Sequence, residues 1–180
     1  MAAYADMHGA AWLPSLDVPV DRPCSWKKLV SIARALVDYD EVLWLDVDVV
    51  IRDFDENIFE EVPEQYYQAF VVHDFMGGRV PNAGVWLCRR QMLPYLVEAA
   101  MQDDLVNHRW WEQAALHRLL GMEDDGTSCH LKNPTLLAFK SKVISESWNH
   151  VVCSPGGIPR KFVHGAGMPN RLEWVQEQIK

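Results

Sequence analysis

An α/β domain is the fold class this sequence predicts, on three observations. Strand-like and helix-like patterns alternate along the chain, as they do where helices pack on a sheet. One of the strands, residues 41–45, is almost wholly apolar, the pattern of a strand covered on both faces. The 180 residues are 49% apolar and no Pro/Gly/Ser run reads as a linker, so one domain over residues 1–180 has enough material for its own core.

Each element has its own signal. Residues 1–8 read as the end of a helix stopped at Gly9, and an apolar piece, Ala10 to Leu13, leads into a proline-marked loop ending at Pro23. Ser25 is placed to cap a helix from Trp26 to about Tyr39, with Leu29, Ile32, Ala33, Leu36 and Val37 on one face. The strand 41–45 follows and runs out into Asp46-Val47-Asp48. Further strands are expected at Ala69 to His73 and Ala83 to Cys88, the second entered through a Pro81-Asn82 turn. Gln91 to Met101 and Arg109 to Leu120 read as helices, the latter closed by Gly121. A Ser154-Pro155-Gly156-Gly157 loop, the segment Phe162 to Gly167 and a helix from about Asn170 complete the chain. In such folds the site lies at the carboxyl ends of the strands.

Composition excludes several functions. Twenty-five acidic residues against 17 basic ones give a formal charge of −8, so no basic face draws the protein to nucleic acid or anionic lipid. Phosphates, if handled, must meet a few placed cations or a metal. No apolar run is long enough to span a membrane, and Met1 to Pro14 lacks the marks of a secretory signal. A soluble, cytoplasmic chain is expected, with peripheral membrane association or a shortened lumenal form as the other options. Cys24, Cys88, Cys129 and Cys153 form no C-x-x-C pair, which argues for reduced thiols and against a zinc knuckle or redox dithiol. Eight tryptophans exceed the needs of such a core, so some are expected to line a cleft.

Asp46 and Asp48 carry the strongest chemical signal. Neither can stay ionised in a core without a partner. Alternate residues of a strand project to one side about 6–7 Å apart, close enough for both carboxylates to converge on one divalent ion or its water. Such an ion also grips a diphosphate. The plainer reading is a pair of solvated loop acids.

The stretch EVLWLDVDVVI (41–51) resembles the D-x-D strand end of metal-dependent glycosyltransferases of the GT-A fold. The order of the other segments is similar to glycosyltransferase family 34, the galactosyl- and xylosyltransferase group, and more distantly to the glycogenin-like family. Those segments are YADMHG (4–9), WKK (26–28), PNAGVWLCRR (81–90), WWEQAAL (110–116), WNH (148–150) and FVHGAG (162–167).

The resemblance implies a GT-A-like single domain with a mixed, mostly parallel sheet flanked by helices. It lacks the usual first nucleotide-binding strand, as an N-terminally truncated form would. It implies transfer of a hexose or pentose from a nucleotide-diphosphate sugar, UDP-linked by family default, to a glycan or other hydroxyl acceptor. Asp48 would hold Mn²⁺, with Mg²⁺ as the alternative, and Asp46 would hold both metal and ribose. His164, in the H-x-x-G segment, would be the third ligand, with His150 as rival. Lys28 matches a position that reaches the donor sugar or diphosphate, Asn82 and Gly84 one that faces the donor sugar, and Gly165 and Gly167, with Gly156 and Gly157, allow backbone near a phosphate. Glu112 would be the general base and Gln113 a sugar contact, both at the start of a helix. Trp111, Trp148 and Asn149 would meet the acceptor, and Trp110 is a further stacking candidate. Glycogenin-like chains continue H-x-x-G with a phosphate-binding lysine. This chain has Met168-Pro169-Asn170 there, leaving Arg160, Lys161 or Arg171 to supply the charge.

Two other readings fit parts of the pattern. Haloacid-dehalogenase-like phosphatases also begin with an apolar strand ending in D-x-D, but need a later acidic pair at a strand end. Asp103-Asp104 and Asp124-Asp125 are the pairs available. A non-catalytic nucleotide-sugar or carbohydrate-binding module of the same fold is the third reading.

Overall fold

A computed structural model of the chain describes residues 1–14, 21–75, 78–124, 129–152 and 160–178. The chain opens with α1 (Ala2–Met7), α2 (Lys27–Asp38), β1 (Glu41–Leu45), β2 (Val49–Ile51), α3 (Ile58–Glu61), β3 (Gln68–Phe75) and β4 (Gly78–Arg89). It continues with α4 (Leu93–Ala100), α5 (Glu112–Leu120), β5 (Met122–Asp124), β6 (Cys129–Leu131), α6 (Leu136–Phe139), β7 (Ser141–Val143), β8 (His150–Val151), β9 (Phe162–His164) and α7 (Arg171–Gln178). No helix among the described residues is long and apolar enough to cross a membrane. The glycine loop at 154–157, together with Cys153, lies outside the described residues.

The central sheet has the order β1-β4-β3-β7, and a smaller sheet has the order β2-β9-β8. The central sheet is mixed, as expected, but not mostly parallel: β4 runs antiparallel to both β1 and β3, and only β3 and β7 are parallel. The physical reason is the short link between β3 and β4, which permits a hairpin, whereas parallel neighbours need a long crossover. β1 lies at the sheet edge. Along it runs a groove of about 710 Å³ lined by residues that include Tyr4, Trp12, Leu13, Ile32, Val42 and Trp44.

Alternation along β4 divides the core. Trp86 and Cys88 face α2, α4 and α5 and pack with Trp26, Leu29, Leu96 and Leu116, while Val85 and Leu87 pack on the other side with Tyr4, Val49, Trp148 and Phe162. A fully buried Val, Leu or Phe among these stabilises the fold by about 1.5–3 kcal/mol.

Some expected boundaries move. Ser25 does not cap α2: Cys24–Trp26 form a 3-10 turn, and α2 starts at Lys27 without a side-chain cap. A similar turn, Arg90–Met92, precedes α4, where Pro94 sits in the first helical turn and needs no N–H partner. The helix expected from Arg109 begins at Glu112, because Trp111 has φ +47° and ψ −129°, which no helical residue adopts. Pro81-Asn82 is not a turn but part of β4. There the β3–β4 register jumps: Phe70 faces Trp86 and Val71 faces Asn82, so Ala83, Gly84 and Val85 bulge away from β3.

Candidate metal centre and active site

The bulge in β4 is the foundation of the site. Withdrawn from β3, Ala83 finds other partners: its N–H donates to Gln113 Oε1 (3.2 Å) and its carbonyl accepts from Lys28 Nζ (3.0 Å). Val85 still pairs with Leu45, and the Gly84 carbonyl accepts from the Asp46 N–H at 2.8 Å, carrying the ladder one step past β1. The chain then turns, with the Val49 N–H bonded to the Asp46 carbonyl at 3.0 Å. Asp46 and Asp48 therefore converge through a turn between β1 and β2, not through the alternation of one strand.

β2 carries the turn to its third partner. Val49 pairs with His164 in β9, and the Gly165 N–H donates to the Asp48 carbonyl at 2.9 Å. His164 Nε2 lies 3.3 Å from Asp48 Oδ1 and 3.9 Å from Asp46 Oδ2. One ligand atom from each of the three residues lies within 4.8 Å of the others. His150 is outside this group: it is fully buried, and its Nδ1 lies 3.7 Å from Glu146 Oε1.

The imidazole is held by a relay that sequence reasoning assigned elsewhere. His164 Nδ1 lies 2.9 Å from Asn149 Oδ1; Asn149 Nδ2 donates to Asn82 Oδ1 at 2.8 Å, which also accepts the Gly84 N–H at 2.8 Å. Because the Asn149 amide donates to Asn82, its oxygen is left to accept from Nδ1–H. With an ion at Nε2 this fixes the tautomer, because Nδ1 carries the proton and Nε2 is the atom turned to the two aspartates, the orientation a metal-bound histidine needs. The residues present thus fit a divalent ion: two carboxylates and one pre-oriented imidazole, a donor set suited to Mn²⁺ and compatible with Mg²⁺.

Charge is balanced on both sides of the turn. Lys28, buried, bridges Asp46 Oδ1 (3.0 Å) and Glu112 Oε1 (2.9 Å). Burial works against its positive charge, yet the two carboxylates outweigh that and hold its pKa above the usual lysine range. Asp46 also accepts from Trp44 Nε1 at 2.6 Å. For Asp48, burial works to raise the pKa, but contact with His164 and the nearby Arg171 prevail and keep it below the usual carboxylate value.

Several expected positions have other surroundings. Asn149 is fully buried and holds His164, so it presents nothing to an acceptor. Trp148 is 1% exposed, edge-on to Phe162 and beneath Lys161, which removes it as a stacking surface. Gly84 leaves room for His164 and not for a sugar ring: a Cβ there would lie 2.1 Å from the imidazole Cε1. A Cβ on Gly165 would meet the Trp174 ring at 3.0 Å, whereas Gly167, at φ +78°, has open space. Trp111 is half exposed beside Glu112. The carboxylate of Glu112 is nearly buried and engaged by Lys28. Sequence reasoning missed the tautomer-setting role of Asn149 and the Trp44 contact; the aromatic before the D-x-D was visible, its direction was not. Asp103 and Asp104, the first acid pair a phosphatase would need, are spent on Arg22 and Arg118 at the surface. Asp125, in the second pair, lies outside the described residues.

No family model and no curated protein matches the chain. Among solved structures it is similar to a glycosyltransferase involved in the glycosylation of the major capsid of PBCV-1. That match has a TM-score of 0.71 at 15% identity and covers 98% of this chain and 87% of the other. Mouse xyloside xylosyltransferase 1, in its apo form, gives a TM-score of 0.43 at 13% identity, over 92% and 71% of the two chains. The chain therefore has a GT-A-like α/β glycosyltransferase fold, with an Asp-x-Asp and histidine group at the carboxyl end of β1.

Proposed function

We propose that this chain transfers a sugar from a nucleotide-diphosphate sugar, with UDP-sugars the first choice, to a hydroxyl acceptor with the help of Mn²⁺ or Mg²⁺. The observation that carries the reading is the convergence of Asp46, Asp48 and the pre-oriented Nε2 of His164 at the end of β1. When bound, the cation supplies the positive charge that a departing diphosphate requires.

The protein's own residues set the stage. Asp46, Asp48 and His164 would hold the ion, which would supply the positive charge for the donor's diphosphate, and Asn149 would keep His164 in the ligating tautomer. Lys28 holds Asp46 in place and gives the pocket a permanent positive charge. Glu112 acts here as the counter-ion of Lys28, in place of the general-base role the resemblance implies. Gln113 spends its oxygen on the bulge at Ala83, which leaves its NH₂ group to donate to sugar hydroxyls. The half-exposed indole of Trp111 offers an apolar face for the acceptor sugar.

The test is thermal shift with a panel of nucleotide sugars, with and without Mn²⁺, followed by transfer assays. A donor is expected to raise the melting temperature only when the ion is present, and D48N is expected to abolish both the shift and turnover. Transfer that survives thorough chelation and is unchanged in D48N would refute the reading. Ion-dependent nucleotide-sugar binding without transfer to any acceptor would favour a binding module.

A further inference from the structure

Lys28 and Trp44 both reach the Asp46 carboxylate, and they act on it differently. Lys28 Nζ lies 3.0 Å from Oδ1 and 3.4 Å from Oδ2. An ammonium is a compact charge with three rotatable donors, so at such similar distances it attracts the carboxylate without choosing between its oxygens. Trp44 does choose. Its Nε1 donates to Oδ1 at 2.6 Å, the shortest polar contact to this carboxylate among the described residues, and an indole has a single donor in a fixed direction. Oδ2 is left on the side of the other two ligands, 3.9 Å from His164 Nε2, which itself lies 3.3 Å from Asp48 Oδ1.

The backbone aims the indole. Alternate residues of a strand project to one side. The bond from the Asp46 N–H to the Gly84 carbonyl extends the β1–β4 ladder through residue 46, so Trp44 and Asp46 point the same way, whereas Asp48 arrives only through the turn. The ring is itself held. Trp44 pairs with Trp86 across the ladder and packs against the core that Trp26 and Leu29 help to fill, with Lys28 Nζ 5.9 Å from the ring centroid. Its open side lines the groove along β1. A rigid ring fixed by the core therefore carries its one N–H to one oxygen of the first aspartate.

We propose that Trp44 is a positioning residue for the metal centre: its indole N–H occupies Oδ1 of Asp46 and so presents Oδ2 alone to the side of Asp48 and His164. The inference rests on the metal-dependent donor site proposed above and names the group that orients its first ligand. W44F and W44H separate this role from packing. Phenylalanine keeps an apolar ring and loses the N–H; histidine buries less apolar surface but carries a ring N–H at similar reach. Mn²⁺ alone is titrated at about pH 8, where histidine is ordinarily uncharged, by calorimetry or by the paramagnetic signal of the free ion. Urea unfolding ranks the stability of the same proteins. W44F is expected to be the more stable variant and yet to bind Mn²⁺ about tenfold more weakly than the parent, the low end for an outer partner because Lys28 still attracts Asp46. W44H is expected to be the less stable variant and to bind within about threefold of the parent. If W44F does not fold by circular dichroism, W44H carries the test: near-parental affinity supports the role, and a loss of about tenfold overturns it. Mn²⁺ affinity that follows stability across the two variants, or that is unchanged in W44F, would overturn the role of Trp44 while leaving the donor site standing. A parent protein that binds no Mn²⁺ would instead remove the donor site itself.

Discussion

At the scale of single residues, the site depends on atoms that touch no ligand. Asn149 accepts from Nδ1 of His164 and donates to Asn82, so N149A leaves the imidazole without its Nδ1 partner and the Asn82 amide oxygen with the Gly84 N–H alone. Mn²⁺ affinity is expected to fall about 10–100-fold in N149A, the usual weight of such an outer partner. N149D still accepts from Nδ1–H and is expected to keep most of that affinity, a contrast that calorimetry reads directly. Gly84 is the complementary case. Its missing Cβ is where the imidazole lies, so G84A must push His164 or β4 aside. It is expected to cost about 1–3 kcal/mol in urea unfolding, as overpacking does, and to weaken Mn²⁺ binding as well. The three residues of the metal group were legible because carboxylates at an apolar strand end and a histidine before glycines are chemically unusual there. The roles of Asn149 and Gly84 were not, since they arise where β4 and the turn before β8 meet His164 of β9 across long stretches of chain.

At the scale of elements, α2, β1 and α5 were readable because each announces itself locally, by a 3.6-residue apolar face or an unbroken apolar run. The bulge in β4 was not, and it does most of the positioning: it turns Ala83 toward Lys28 and Gln113 and keeps Gly84 in line with Asp46. Whether a segment pairs straight or bulges depends on its neighbours, here β1 on one side and β3 on the other. The start of α5 is set the same way, by the unusual backbone at Trp111, while its end was plain from Gly121. That glycine has φ +80°, and a Cβ on it would lie 1.8 Å from the Asn133 carbonyl oxygen. G121A is therefore expected to destabilise the protein by about 2 kcal/mol or more, from left-handed strain and collision together. Urea unfolding measures the loss. Mn²⁺ affinity in the folded fraction is expected to hold, because α5 meets the site at its other end.

At the scale of the whole molecule, the small sheet β2-β9-β8 brings the two halves of the metal group together, and buried histidines line its approach. His150 is fully buried, His73 nearly so, and no ring nitrogen of either has a hydrogen-bond partner among the described residues. Glu146 lies 3.6 Å from His73 Nδ1 and 3.7 Å from His150 Nδ1, too far for a hydrogen bond with either. Burial, the largest influence, lowers both pKa values below the ordinary 6.5. Glu146 opposes this, the charges of His164 and His150 reinforce it at His73, and that of Arg160 does so at His150. Below pH 6.5 the unfolded chain then binds protons that the folded one refuses, so stability rises with pH through this window. It is expected to be level above about pH 7 and to decline as pH falls through 6.5 toward the lower folded values. The Asp48 contribution, from a carboxyl held below its ordinary 3.8, is lost only in stronger acid, so the two limbs are separable. H150F puts a ring of similar size where no hydrogen bond is forfeited. It is expected to shift stability at pH 7 by no more than about 1.5 kcal/mol and to flatten the limb between pH 6.5 and 5. Thermal unfolding across that range in the parent and in H150F decides it: an unchanged slope in the variant, or stability that grows on acidification, would show that these imidazoles take up protons in the folded state as freely as in the unfolded one.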